Sequence, residues 1–205
     1  MSTIVLGDIH GSAFWKTAIA ENPDCRYIFL GDYLDGKDNI DSEMELDNLK
    51  EIISFKKENP DNVILLLGNH DLLHFDYDIN ENVSISFREN SALFQNAYQM
   101  DDIIFTHAGI VHKWFVEDFK GDLTRNIAEQ LNNPTGKQCD ALRQVGDEYT
   151  TSGIFMAGMV ELYRPLQGFI QVVGHNRIPD IKDVSVNGGR VIFCDCLWNG
   201  HYLKI

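Results

Sequence analysis

No stretch of this 205-residue chain approaches the ~18 consecutive apolar residues of a membrane-crossing helix, so nothing in it is read as a membrane span. Basic side chains are scarce. Seventeen Lys and Arg stand against 31 Asp and Glu, a formal net charge of −14. That balance repels phosphate backbones, and there is no aromatic-basic platform, so high-affinity nucleic-acid binding is excluded. Cysteine is sparse too. Cys25, Cys139, Cys194 and Cys196 form no C-x-x-C pair. This argues against a disulfide framework and makes reduced thiols in the cytoplasm the expectation. Low-complexity tracts, linkers and long repeats are absent. The 44% hydrophobic content suffices for one substantial core, so residues 1–205 are expected to form one catalytic domain. The chain enters a strand almost at once and meets a candidate ligand at Asp8. Its first residues are therefore read as structure and not as a cleaved leader.

What the chain does have is a repeated arrangement of apolar run, glycine or threonine, then polar side chains. Val63–Leu67 is fully apolar and runs into Gly68-Asn69-His70-Asp71. Ser2–Leu6 leads into Gly7-Asp8-Ile9-His10-Gly11, and Tyr27–Leu30 into Gly31-Asp32-Tyr33-Leu34-Asp35. Ile103–Phe105 leads into Thr106-His107-Ala108-Gly109, and Ile170–Val173 into Gly174-His175-Asn176. Continuous apolar runs of this length read as buried strands. Polar side chains at the ends of buried strands are costly unless they bind something. The five clusters therefore point to one shared site.

Between the clusters, Ser12–Glu21 and Asp41–Lys57 read as helices, the second with Met44, Leu46, Leu49, Ile52, Ile53 and Phe55 near a 3.6 period. Asp41 or Ser42 is its candidate cap. The resulting β-α-β-α-β order implies a parallel sheet with right-handed crossovers. Asp35–Asn39 is expected to lie over the site, and Asp76–Ser86 to be an irregular substrate loop. Phe87–Met100, Val111–Phe119 and Leu123–Leu131 are expected to be helical, and Asn132–Lys137 a loop. Ala141–Gly168 reads as mixed helix and loop. Val184–Val186, Val191–Asp195 and His201–Ile205 read as consecutive antiparallel strands, with turns at Asn187-Gly188-Gly189 and Asn199-Gly200.

Asp, His and Asn together are the inventory of a two-metal phosphoester hydrolase. Two divalent ions activate water and stabilise charge, oxygen and imidazole ligands suit Mn²⁺, Fe or Zn²⁺, and an unligated His can protonate the leaving group. The same five motifs, in this order, resemble the signature of the calcineurin-like metallophosphoesterases. Within them they are most similar to the branch holding serine/threonine protein phosphatases and bacterial diadenosine-tetraphosphate hydrolases. The resemblance runs from Gly7 to His175 and implies a two-sheet β-sandwich flanked by helices, compatible with a parallel first half and antiparallel C-terminal strands. It further implies that Asp8 and His10 hold one metal, that Asp32 bridges two, and that Asn69, His107 and His175 hold the second. It makes His70 the general acid, oriented by Asp35, with a metal-bridging hydroxide attacking a phosphomonoester. Mn²⁺ is the first choice of metal, and the partner a phosphorylated protein or small molecule.

The sequence also departs from that branch. Gly174-His175-Asn176-Arg177 lacks the second His that nuclease-like relatives carry, which favours the phosphatase-like side. Protein phosphatases place Arg after the second Asp of Gly31-Asp32-Tyr33-Leu34-Asp35 and before the Gly of Gly68-Asn69-His70. Here Gly36 and Leu67 stand there. Lys37, Arg164 and Arg177 are the candidates to bind substrate phosphate instead, Arg164 foremost. The rival readings are a hydrolase of dinucleoside polyphosphates or phosphodiesters, and an inactive scaffold on the same fold. The scaffold predicts eroded ligands, which the sequence does not show. His74, four after His70, lacks the Glu of a zinc-protease helix and is not read as a ligand. Asp71 is expected to be solvated, His112 and His201 structural or solvated, and Cys194, Cys196, Trp114 and Phe115 core.

Overall fold

The computed structural model describes residues 1–36, 41–77 and 81–205. Lys37 and part of the Asp35–Asn39 stretch lie outside the described residues. Strands β1 (Thr3–Leu6), β2 (Arg26–Phe29) and β3 (Val63–Leu66) are the three apolar runs of the first half. They pair in parallel, with Leu6 opposite Phe29 and Phe29 opposite Leu65. Helices α1 (Phe14–Glu21) and α2 (Ser42–Glu58) make the crossovers, and Asp41 caps α2 by accepting from Glu43 N and Met44 N. Leu49, Ile52 and Ile53 of α2 are buried as the period implies, whereas Met44 is 60% exposed.

The alternation within each strand sorts the core into layers. Ile4, Leu6 and Phe29 pack outward with Trp15, Leu49 and Ile52 under the helices. Val5, Ile28 and Leu66 face inward and meet Phe105, Val172 and Ile192 of a second sheet. Being buried on both faces, these strands read as continuous apolar runs and not as alternating ones.

After β3 come α3 (Asn69–Asp76) and α4 (Glu81–Glu89), then the short β4 (Phe94–Gln95), which closes one edge of the first sheet. The second sheet is built from β5 (Ala97–Met100), β6 (Ile103–Thr106), β7 (Ile170–Val173), β8 (Lys182–Val186) and β9 (Gly189–Phe193). Its order is β5-β6-β7-β9-β8, with β6, β7 and β9 parallel. Its outer face carries a π-helical turn at Trp114–Asp118 and the short helices α5 (Ile127–Asn132) and α6 (Lys137–Leu142). The architecture is the expected two-sheet sandwich with helices on both sides. No helix among the described residues is long and apolar enough to cross a membrane.

Several local expectations are corrected. The helix expected over Phe87–Met100 lies earlier, at Glu81–Glu89, where Val83, Ser84 and Phe87 form its buried stripe. The described part of the expected Asp76–Ser86 loop is therefore partly helical. Phe94 and Ala97 are apolar because they enter sheet edges opposite Leu65 and Thr106. The helix expected over Leu123–Leu131 starts only at Ile127. Asn126 caps it there by accepting from Glu129 N, and Asp122 turns the preceding chain onto Thr124 N. The helix expected over Val111–Phe119 is present over 112–118, but after an α-helical start at 112–113 it is π-helical at Trp114–Asp118, closed by Phe119 N on Trp114 O at 2.9 Å. Finally, β10 (Leu203–Lys204) does not continue the β8–β9 hairpin. It crosses to the first sheet and pairs antiparallel with β1.

The loop after β6 is tied down by one side chain. Gln171, fully buried on β7, accepts from Ile110 N at 2.7 Å and donates to Ile110 O at 2.9 Å. Ile110 O also accepts from Leu166 N, so the amide N–H is the group that depends on Gln171 alone. Gln171→Met should orphan that buried donor and cost about 1–3 kcal/mol, read as a lower urea midpoint with an unchanged slope. An unchanged midpoint would show that the loop does not need the contact.

Candidate active site

Register decides where the polar clusters go. Because β1, β2 and β3 end level with one another, the residues that follow them emerge at one edge. β6, β7 and β9 also end level, with Thr106 opposite Val173 and Val173 opposite Phe193. The carboxyl ends of parallel strands from both sheets thus open on one cavity of about 480 Å³. This is where open parallel sheets place ligands. Asp8, His10, Asp32, Asn69, His70 and His175 line it, and His107 lies fully buried beneath.

The backbone there is bent unusually. His10, Asp32, Asp35 and His175 all sit at φ between 44° and 60°, the left-handed region that L residues avoid. Such conformations persist only where the surroundings enforce them. Here the enforcement is visible. Ile9 N and His10 N donate to Asp32 O at 3.1 and 2.7 Å, and Gly11 N donates to Tyr33 O at 2.9 Å. Asp8 Oδ1 accepts from His175 N, and Asp32 Oδ1 from His70 N, each at 2.9 Å. A Cβ on Gly174 would strike Asp8 Oδ1, and one on Gly68 would strike Asp32 Oδ1, so both carboxylates are seated against glycine.

The imidazoles are oriented by carbonyls. His10 Nδ1 donates to Leu34 O at 2.7 Å, leaving Nε2 3.9 Å from both Asp8 Oδ2 and Asp32 Oδ2. His107 Nδ1 donates to Leu30 O at 2.9 Å. Its Nε2 then carries a lone pair and faces Asn69 Oδ1 at 2.8 Å and Asp32 Oδ2 at 3.5 Å. Three electron-rich atoms facing one another is an arrangement a cation among them satisfies. Ligating atoms of Asp8, Asp32 and His107 all lie within 4.8 Å of one another. Burial pushes the Asp8 carboxyl well above its usual range, and nearby Asp32 and Asp195 push it further. The donor set and its unmet negative charge fit a divalent metal.

A second group stands beside it. His70 Nδ1 is 2.8 Å from Asp35 Oδ2, and His74 Nε2 is 3.8 Å from Asp35 Oδ1. The hydrogen bond to Asp35 raises the His70 pKa, and the same bond, with help from His74, holds Asp35 well below the usual carboxylate range. His175 behaves oppositely. Burial, with His107 alongside, lowers it to about 4, so its ring is neutral near pH 7.

Two expectations about this region are corrected. Arg164 does not line the site cavity. It lines a separate one of about 470 Å³ with Asp147 and Glu161, because the Val111–Pro165 bridge and the Glu161 contacts to Ser152 N and Gly158 N hold its segment there. Asp71 is not solvated. It is fully buried and accepts from Gly68 N and Asp32 N through Oδ2 and from Tyr33 N through Oδ1. Asp195 and Arg177 join the cavity lining as well. Asp195 follows β9 as Asp8 follows β1, and that strand-end position was the available sign of it.

The calcineurin-like phosphoesterase family model matches residues 1–165. A serine/threonine-protein phosphatase PP1-delta from Caenorhabditis elegans is 37% identical over 73 residues, 33% of this chain and 22% of that protein. The chain thus spans under a quarter of that relative's length. A solved protein serine/threonine phosphatase from Saccharomyces cerevisiae, described as similar to human phosphatase PP5, superposes with a TM-score of 0.60. It is 17% identical, over 95% of this chain and 67% of that one. A cold-active protein-tyrosine phosphatase of a psychrophilic Shewanella species gives a TM-score of 0.54 at 16% identity, over 95% and 71% of the two chains. At such identities the two structures show the shared fold.

The charge balance of the site makes its stability depend on pH in a definite direction. Asp8 and Asp71 have pKa values raised by burial, Asp71 to about 7. In the unfolded chain they ionise near the usual ~4. The folded state therefore holds more protons between these values, and stability must fall as pH rises through them. The melting temperature of EDTA-treated protein should drop between about pH 4 and 7, and Mn²⁺ should restore it most at the upper end. A flat profile with no Mn²⁺ effect would contradict this.

Proposed function

Because the chain belongs to the calcineurin-like phosphoesterase family, we propose that it hydrolyses phosphomonoesters with two divalent metal ions, Mn²⁺ first among them. In this reading Asp8 and His10 hold one ion, Asp32 serves both, and Asn69, His107 and His175 hold the other. Bound divalent ions supply Lewis acidity toward phosphoryl oxygen and lower the pKa of water. The observation that carries the reading is the meeting of His107 Nε2, Asn69 Oδ1 and Asp32 Oδ2, with His175 Nδ1 2.9 Å from the same Asn69 oxygen. The neutral His175 ring and the carbonyl-anchored His10 and His107 rings have lone pairs to give. Since ligands come from strand ends of both sheets, residues 1–205 are taken as one catalytic domain.

The chain's own proton chemistry centres on His70. Asp35 fixes Nδ1, which leaves Nε2 as the atom that hands a proton to the departing oxygen. Its raised pKa keeps that proton in place near neutrality. Asp35 in turn stays ionised to low pH, so the pair is intact across the working range. A phosphorylated protein or a small phosphomonoester fits this chemistry. The nematode relative's name supports the first, and the absence of Arg at positions 36 and 67 supports the second.

Turnover of p-nitrophenyl phosphate should require Mn²⁺ and vanish in EDTA. Asp32→Asn should abolish it, and His70→Asn should lower kcat by roughly 10²–10⁴-fold. Activity is lost as pH rises through the His70 pKa, which Asp35 holds up. Asp35→Asn should therefore move the alkaline limb of the kcat profile to lower pH. Preference for the bis-ester would shift the assignment to a diesterase. Absence of turnover with metal bound would overturn it.

A further inference from the structure

The cavity is rimmed by carboxylates, with Asp8, Asp32 and Asp195 all lining it. Among the described residues lining it, Arg177 is the single Lys or Arg. Of the other two candidate cations, Arg164 lines a different cavity and Lys37 lies outside the described residues.

Arg177 is held in a built setting. Its guanidinium carbon lies 4.3 Å from the centroid of the Trp198 ring. Trp198 Nε1 donates to Ile178 O at 3.2 Å, and Asn199 Nδ2 donates to Pro179 O at 2.9 Å. Ile178 N donates to Asp195 O at 2.9 Å. The segment after β7 is thereby stitched to the segment after β9 immediately beyond the arginine, at Ile178 and Pro179. Stacking uses the face of the guanidinium and leaves its edge donors available. Among the described residues those donors make no hydrogen bond or ion pair, although Arg177 sits at the cavity. A planar fork of free N–H groups matches the oxygens of a phosphoryl group.

We propose that Arg177, pre-ordered by stacking on Trp198, binds the phosphoryl oxygens of the substrate at the mouth of this cavity. The inference rests on the phosphoesterase reading and adds to it the residue that recognises the dianion. Arg177 acts in binding, so its loss should fall mainly on KM. Trp198 is a positioning residue, and an aromatic replacement should preserve its effect.

The probe is inorganic phosphate, titrated calorimetrically into Mn²⁺-loaded protein, beside KM and kcat for p-nitrophenyl phosphate. Arg177→Ala should weaken phosphate binding and raise KM by roughly 10–100-fold, with a smaller change in kcat and no change in Mn²⁺ binding or melting temperature. Arg177→Lys should recover part of the loss, and Trp198→Phe should stay closer to the parent than Trp198→Ala. Parent-like phosphate affinity and KM in Arg177→Ala, in an active enzyme, would overturn the proposal and leave the phosphoesterase reading standing. So would a loss confined to Lys37→Ala. Phosphate binding that depends on Arg177 without turnover of any ester would support the proposal and refute that reading. A parent that neither binds phosphate nor turns over an ester would refute both.

Discussion

The Asp71 carboxylate is fully buried and takes hydrogen bonds from the backbone N–H groups of Gly68, Asp32 and Tyr33. Through these contacts it locks the end of β3 to the end of β2. Burying a carboxyl group is costly, and three backbone donors offset part of that cost, although burial still raises its pKa to about 7. What the lock secures is the position of Asp32, whose Oδ1 accepts from His70 N and whose Oδ2 faces His107 and His10. His10, His70 and His107 all meet that one carboxylate. Asp71 thus acts from beneath the cavity, through the backbone.

The same economy explains the strained backbone. Four site residues, His10, Asp32, Asp35 and His175, occupy left-handed conformations that carry a cost of roughly 1–3 kcal/mol each. The strain turns each chain sharply at a strand end, so that side chains from five strands converge instead of continuing along the sheets. The offset comes from the sandwich below. Val5, Ile28, Leu66, Phe105, Val172 and Ile192 pack between the sheets and hold the strand ends level.

The strands and the polar clusters were legible in the sequence because both rest on local pattern. Val63–Leu66 and Ile103–Phe105 are apolar throughout, and Gly68 or Thr106 marks where each run meets the site. Features that depend on distant partners were not legible. β10 pairs with β1 almost 200 residues away, which no spacing announces. The chain between α6 and β7 is held by single side chains such as Glu161 more than by periodicity. Asp71 looks like any polar residue after a strand, and only the fold shows that backbone donors surround it. Arg164 and Arg177 differ little as letters. The contacts around Trp198 bring the second to the cavity, while the Val111–Pro165 bridge takes the first elsewhere.

The proposed function requires that the buried acceptors at the converging strand ends hold a pair of divalent ions that share Asp32. Anomalous scattering from crystals grown with Mn²⁺ tests it directly. Two peaks are expected, one among Asp8, His10 and Asp32, the other among Asp32, Asn69, His107 and His175. A map with no peak beside Asp32, from protein that keeps this fold, would contradict it.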